Sequence, residues 1–366
     1  MKAQHYAVIM AGGKGTRFWP LSRPQRPKQL LRVLSPKSLL RETVERALPL
    51  FGRRNTLVVT VSEQHRSVQR ELPMLPKANF LIEPQGNNTA PGIGLAALEL
   101  TAMDPEAIMA VLPADHWVSD LRSFSRTLKA AMQLAQARDV LITLGIRPAR
   151  PETGYGYILK GKKAGRSGAL PFYRVDGFEE KPSLKRARQL MRRGALWNSG
   201  IFIWRAATIL ESLRRFNPLI ANGLERIREP AHGKSLSRSF LKSIIRREYR
   251  KMPNISIDYA VLEKAAAEGK VMTLEADFGW SDVGDWAALH RMLPKDRSGN
   301  AGVGEWLGFK SRDCLAYSDN RLIALLGMEN TVVVETQDAV LVGDLRLAQE
   351  IKNLVEELHR KGAAAI

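Results

Sequence analysis

From residue 6 to residue 146 the chain alternates short apolar runs with amphipathic stretches, a rhythm that restricts it to a sheet wound with helices. Tyr6-Ala7-Val8-Ile9-Met10 is apolar throughout and ends in glycines, which suits a parallel strand buried on both faces. Ser38–Leu48 follows, with Leu39, Leu40, Thr43, Val44, Ala47 and Leu48 on one helical face. Further strands are expected at Thr56–Val61, Asn79–Ile82, Ile108–Leu112 and Val140–Ile146, and helices at Pro91–Thr101 and Phe124–Ala137. Pro91 reads as the first helical residue of its segment. The expected fold is α/β, a Rossmann-like mixed but mostly parallel sheet. Such sheets bind ligands at the carboxyl ends of their strands.

The middle of the chain is richer in β-structure. Tyr155–Lys160, Phe172–Phe178 and Gly200–Trp204 read as strands, Ser183–Arg193 and Ala206–Arg215 as helices. The stretch from Glu211 to Lys251 is charged and mostly helical, with breaks at Pro218 and Pro230. The character changes after Asp296-Arg297-Ser298-Gly299-Asn300, which divides a large domain, 1–295, from a small β-rich, short β-helix-like domain, 296–366. The latter holds expected strands at Arg321–Leu326, Thr331–Glu335 and Ala339–Val342. Its final helix starts near Asp344 and turns Leu347, Ile351, Leu354, Val355 and Leu358 inward. This tail reads as packing, with no obvious chemistry.

At 366 residues and 45% hydrophobic content the chain can bury a sizeable core without disulfides. The single Cys314 permits neither an internal disulfide nor a CxxC metal pair, which fits a reducing compartment. The N-terminus shows no apolar signal core and no stretch spans a bilayer, so the expected location is cytoplasmic, with no membrane partner. Lys and Arg exceed Asp and Glu by 56 to 37, a net charge of +19. The excess is scattered in pairs such as Arg53-Arg54, Arg192-Arg193, Arg214-Arg215 and Arg246-Arg247, without a long basic block or an aromatic–basic stacking pattern. A solvated basic surface accounts for it, and nucleic acid is not expected as a partner.

The strongest chemical signal is Ala11-Gly12-Gly13-Lys14-Gly15-Thr16-Arg17-Phe18-Trp19-Pro20, continuing to Ser22-Arg23 and Pro27-Lys28-Gln29. Three glycines directly after a strand let the backbone turn and present N–H groups to phosphate oxygens. Arg17 adds a planar fork of donors and Lys28 a mobile point charge. A Walker loop is excluded because Gly15 is followed by Thr16-Arg17, and a dinucleotide fingerprint because Phe18 stands where its third glycine belongs.

The run GGKGTRFWPLSRPQRPKQ resembles the N-terminal element of sugar-1-phosphate nucleotidyltransferases, in the Trp-Pro and Pro-Lys-Gln form of the mannose-1-phosphate guanylyltransferases. The resemblance recurs in order. Glu83-Pro84-Gln85-Gly86-Asn87-Asn88-Thr89-Ala90-Pro91 looks like the base-side loop and Leu112-Pro113-Ala114-Asp115-His116 like the metal-bearing strand end. Tyr155-Gly156-Tyr157-Ile158 and Phe178-Glu179-Glu180-Lys181-Pro182 look like sugar-phosphate segments, and Trp197-Asn198-Ser199-Gly200-Ile201-Phe202 continues the series. Ser256-Ile257-Asp258-Tyr259-Ala260 and Trp280-Ser281-Asp282-Val283-Gly284-Asp285-Trp286 complete the series. Phe18 replaces the usual Leu, Asn87 the usual Arg, and Gly92 and Gly94 the usual alanines, which should loosen the start of that helix. The chain ends without the phosphomannose isomerase domain of longer relatives, so a single activity is expected.

The resemblance implies GTP and mannose 1-phosphate as substrates, GDP-mannose and diphosphate as products, and Mg²⁺ as cofactor. It implies Arg17, Lys28 and Lys181 as catalytic, and Ala11, Gly12, Gly13, Gly15, Thr16, Glu83, Asn88, Thr89 and Ala90 as nucleotide-binding. Gly156, Glu180, Lys181 and Asn198 would bind the sugar phosphate, and Asp115 and Asp282 the metal. A homodimer is compatible with it. Elementary chemistry agrees, because a sugar phosphate is already mostly dianionic near neutrality and needs no general base. His116 is therefore read as structural, Trp197, Trp280 and Trp286 as packing, and Tyr259 as the anchor of a helix under the sugar pocket. Three other readings stay open: the same chemistry on another nucleotide or hexose phosphate, a retired regulatory relative, and a nucleic-acid binder. A retired site would tolerate losing one of Arg17, Lys28, Asp115, Lys181 and Asp282, yet all are present.

Overall fold

A computed structural model describes residues 3–13, 15–229 and 238–362, without the side chains of 238–242; Lys14 and Pro230 lie outside the described residues. The strands of the large domain are β1 (His5–Ala11), β2 (Thr56–Val61), β3 (Phe80–Glu83), β4 (Ile108–Pro113), β5 (Trp117–Val118) and β6 (Leu141–Ile146). β7 (Gly156–Ser167), β8 (Leu170–Glu180), β9 (Leu196–Arg205), β10 (Val271–Ala276) and β11 (Trp280–Ser281) follow. Nine of them form one sheet in the order β3-β2-β1-β4-β9-β6-β10-β8-β7, and β5 and β11 pair as a separate ribbon. β3, β2, β1 and β4 run parallel, as do β6 and β10, and β9 enters antiparallel between β4 and β6.

The uninterrupted apolar character of β1 follows from cover on both faces. Ala7, Ile9 and Ala11 pack with Leu40, Val44 and Leu128 on one side, Tyr6 and Val8 with Ala90, Ile93 and Leu213 on the other. The first expected helix spans Leu39–Phe51, capped by Ser38, whose side chain accepts from Arg41 N. The helix expected from Pro91 instead starts at Thr89, with Asn88 as its cap at φ 63°, so Pro91 is not its first residue. Gly92 and Gly94 both sit in close contact with neighbouring side chains. A Cβ on Gly92 would lie 3.0 Å from Glu83 Oε1, and one on Gly94 2.6 Å from Leu224 Cδ1. The β7–β8 hairpin outruns the expected strands because Lys160-Gly161-Lys162-Lys163 breaks the apolar pattern where the hairpin leaves the core.

Beyond residue 300 the chain forms β12 (Ala301–Val303), β13 (Trp306–Phe309), β14 (Leu315–Ser318), β15 (Ile323–Leu326), β16 (Thr331–Glu335) and β17 (Val340–Asp344). β12, β14 and β16 stack in parallel, β13 and β15 form a second parallel layer, and β17 closes the first layer antiparallel. Asp344 caps a 3₁₀ turn, Leu345–Glu350, which leads into the helix Ile351–Arg360. The tighter 3₁₀ winding changes which side chains face in. Leu345, Ala348, Ile351 and Val355 are buried, whereas Leu347 and Leu354, expected to face inward, are 60% and 40% exposed.

This tail packs onto the glycine loop. Phe18, Trp19 and Leu21 share a core with Trp286, Leu315, Val332, Ile351 and Val355, and the Trp286 indole donates to Trp19 O at 3.1 Å. Phe18 is fully buried there, so it serves as an apolar equivalent of the usual Leu. Several scattered basic residues are ion-paired, Arg214 with Glu225, Arg215 with Glu268, and Arg247 with Glu248. No helix among the described residues is long and apolar enough to cross a membrane.

Candidate active site

β1 and β4 run parallel side by side and end together, which sets the glycine loop beside Asp115. Between them lies a cavity of about 370 Å³ lined by Gly15, Thr16, Arg17, Lys28, Asp115 and Asp282, with His116, Gly284 and Lys352 completing it. Gly15 adopts φ +65°, and a Cβ there would sit 2.2 Å from Lys28 Cβ, so only glycine fits at this turn. The buried Lys28 Nζ donates to Asp115 Oδ2 at 2.7 Å and to the Asp282 carbonyl at 2.6 Å. One ammonium thus ties the end of β4 to a loop 167 residues further along the sequence (115 to 282).

The electrostatics follow. Burial pushes the Asp115 carboxyl up, but the Lys28 charge and hydrogen bond outweigh it and hold the group below the usual aspartate value. Asp282 is raised by burial and, to a smaller degree, by its neighbours Asp115 and Asp285, against the pull of Lys28. Tyr155 donates its hydroxyl to Asp282 Oδ1 at 2.6 Å and keeps its own proton, because burial and that carboxylate both raise it. Arg17 Nε is buried with no hydrogen-bond partner among the described residues. His116 is held neutral by burial, its value lowered to about 3, and its Nδ1 accepts from the Trp280 indole at 3.1 Å. It is a packing and hydrogen-bonding residue in this geometry, as is Trp286, and Trp197 is buried in the core.

The loop 83–91 lies across the ends of β2 and β3. Ala11 O accepts from Thr60 Oγ1, Gly13 O accepts from Gln64, and Gly12 faces Glu83 and Val61. Asn88 turns the chain, while Thr89 Oγ1 accepts from Ile257 N and the buried Ala90 donates its N–H to Ile255 O. Thr89 and Ala90 thereby fasten the 255–257 segment to the loop. Asn87 is buried and donates to Tyr249 O at 2.7 Å, a structural use of the position where the family has Arg.

Glu83 is buried, its Oε1 lacks a hydrogen-bond partner among the described residues, and burial raises it to about 8 with slight relief from Tyr249. The folded protein therefore holds a proton that the unfolded chain, with an ordinary value of 4.5, releases. Stability attributable to this group is greatest below the unfolded value and falls as pH rises towards 8. Glu83→Gln, which cannot ionise, is expected to be more stable than wild type at pH 8 by about 1–3 kcal/mol, with the gap narrowing at pH 5. Urea unfolding at the two pH values measures this; a gap that does not change with pH would contradict it.

The third group lies where β7, β8 and β9 converge. Asn198 Oδ1 accepts from Thr143 Oγ1 and Gly200 N, and its Nδ2 donates to Asp258 Oδ1 at 2.7 Å. Burial raises Asp258 to about 6. Glu180 pairs with Lys181 at 2.7 Å, and Gly156 lies against it, since a Cβ there would fall 2.4 Å from Glu180 Oε2 and displace that side chain. Lys181 N donates to Tyr155 O, so Tyr155 spans both groups through its main chain and its hydroxyl. Tyr259 is 46% exposed and does not anchor a helix; Ile257, Ala260 and Val261, all buried, hold that turn.

The structure thus gathers Gly15, Thr16, Arg17, Lys28, Asp115 and Asp282 in one cavity and Gly156, Glu180, Lys181 and Asn198 in a second group. Sequence reasoning missed Tyr155 and Asp258 as individuals, although both sit in quoted motifs, and did not anticipate that Lys352 of the tail lines the cavity.

Comparison with known proteins points the same way. The Nucleotidyl transferase family matches residues 6–299, and the MannoseP isomerase/GMP-like beta-helix domain matches residues 304–358. A mannose-1-phosphate guanylyltransferase of Escherichia coli is 41% identical over 355 residues, 96% of this chain and 73% of that protein. The xanthan biosynthesis protein XanB of Xanthomonas campestris is 39% identical over 360 residues, 97% of this chain and 73% of that protein. The crystal structure of a mannose-1-phosphate geranyltransferase from Thermus thermophilus superposes with a TM-score of 0.85 at 36% identity, covering 97% of this chain and 99% of that one.

Proposed function

Since the chain belongs to the nucleotidyl transferase family, we propose that it is an enzyme joining GTP and mannose 1-phosphate to give GDP-mannose and diphosphate. The observation that carries this is the shared cavity, lined by a glycine turn, Arg17, Lys28 and the two aspartates Asp115 and Asp282, with Lys28 bonded to the Asp115 carboxylate and the Asp282 main-chain carbonyl. That is the equipment for two phosphates, a cation and no proton transfer.

The phosphate oxygen of the sugar phosphate attacks the α-phosphorus of GTP in line, and the bond to the diphosphate breaks. Since the nucleophile is already an anion, catalysis reduces to positioning and charge neutralisation. Arg17 offers the fork of donors to the phosphate chain, and the main-chain amides of the glycine turn line its path. Lys181 holds the phosphate of the hexose phosphate. Asn198 has both lone-pair directions of its carbonyl occupied, so it can offer only an N–H to a sugar hydroxyl, leaving Glu180 as the acceptor. Gly12, Glu83, Asn88, Thr89 and Ala90 shape the base side. The large domain, 1–295, carries these groups.

Members of the family use a divalent metal, and the residues here fit Mg²⁺. Asp115 and Asp282 are hard oxygen donors beside one cavity, with Asp282 feeling the Asp115 charge and the Lys28 ammonium already seated on Asp115 where positive charge is favoured. They would hold the ion, with substrate phosphates supplying further oxygens. When bound it neutralises charge on the α-phosphate and the leaving diphosphate. The buried, free Cys314 supports a reducing setting such as the cytoplasm.

Phosphorus NMR of the protein with GTP, mannose 1-phosphate and Mg²⁺ tests the reaction. Equal amounts of GDP-mannose and diphosphate, abolished by EDTA, are expected. GDP with inorganic phosphate, or unchanged GTP, would refute it.

A further inference from the structure

We infer that Lys352, on the C-terminal helix, is a phosphate ligand for the nucleotide and the departing diphosphate, an inference that rests on reading the cavity as the phosphate site. Lys352 comes from the small β-rich module, yet it lines the same cavity as Gly15, Arg17, Lys28, Asp115 and Asp282. Its placement is fixed by packing. Ile351 and Val355 are buried in the core that also holds Phe18 and Trp19, so the helix is pinned to the glycine loop, and Lys352 lies in the helix's first turn.

Charge gives it a task. Arg17 and Lys28 contribute two positive charges to the cavity and Asp115 and Asp282 two negative ones. Without Lys352 those side chains sum to zero before a metal enters, although the cavity faces a triphosphate and a sugar phosphate. Lys28 is also committed, with Nζ held by Asp115 and by the Asp282 carbonyl. Lys352 pairs with Glu356 at 3.5 Å, and both side chains are well exposed. Such a pair is weak and readily exchanged for a phosphate. Among the described residues Lys352 is therefore a readily exchanged cation of the cavity, whereas Lys28 is fixed, and the tail contributes charge to the site as well as packing.

The test compares wild type with Lys352→Met, Lys352→Arg and Glu356→Gln in the full chain. Two readings are taken: steady-state constants in both directions, and calorimetric binding of inorganic diphosphate with Mg²⁺, which needs no turnover. Lys352→Met is expected to raise the KM for GTP and the Kd for diphosphate about tenfold, while the KM for mannose 1-phosphate stays within about twofold. Lys352→Arg should recover most of the loss, and Glu356→Gln should leave diphosphate binding equal or tighter. An unchanged Kd for diphosphate in Lys352→Met, at an unchanged melting temperature, overturns the inference. Weaker diphosphate binding in that variant, alongside a wild type that forms no GDP-mannose, would uphold Lys352 as a phosphate ligand and sink the reading of the reaction.

Discussion

Asp282→Ala is expected to slow diphosphate release about a thousandfold, the largest loss from any single substitution considered. A bound metal supplies several kcal/mol of charge stabilisation, and each 1.36 kcal/mol is a factor of ten in rate. Asp282 is half of the carboxylate pair, and its position is set twice, by the Tyr155 hydroxyl on Oδ1 and by Lys28 on its main-chain oxygen. The second bond survives the substitution, so the loop keeps its place and the loss reports on the carboxylate. The Tyr155 hydroxyl loses its acceptor, at a cost of about 1–2 kcal/mol in stability. Asp282→Asn separates the effects, since it keeps an acceptor for Tyr155 and removes the charge. It should lose nearly as much rate while melting close to wild type. An Asp282→Asn variant with wild-type turnover would show that this carboxylate holds no metal.

Arg17→Ala is expected to lower kcat/KM for GTP by two to three orders of magnitude, about the effect of removing one preorganised donor from a developing oxyanion. The Arg17 nitrogen is buried without a partner among the described residues, so its donor capacity is unspent until a ligand arrives. Relief of that unpaired group also predicts that the alanine variant melts no lower than wild type. Loss of activity with preserved or raised stability distinguishes a binding role from a structural one. Arg17→Lys should recover part of the rate, since an ammonium supplies charge without the planar fork. Equal kcat/KM in wild type and Arg17→Ala would remove Arg17 from the site.

Much of this arrangement can be read locally. The glycine turn, the apolar strands and the first helix are dictated by residues within a few positions of one another, and they stand where the sequence places them. What cannot be read depends on distance. Lys28 and Asp115 are 87 positions apart and Tyr155 and Asp282 are 127 apart, so their pairing exists only once the sheet is built. Gly92 is a weak helix start by propensity alone, and its close contacts with Glu83 and Met10 appear only in the folded structure. In the tail, strands of three or four residues such as β12 and β14 are too short to show a period, and the 3₁₀ turn before the last helix shifts the inward face. Lys352 is invisible as a site residue because nothing adjacent in sequence marks it; only the packing of Ile351 and Val355 against the glycine loop brings it to the cavity.

The most direct measurement crosses GTP, ATP, UTP and CTP with the 1-phosphates of mannose, glucose and galactose and follows diphosphate release with Mg²⁺ or EDTA. Release confined to GTP with mannose 1-phosphate, and lost with EDTA, is the predicted result. Release with another pair, or from none of them, would contradict it.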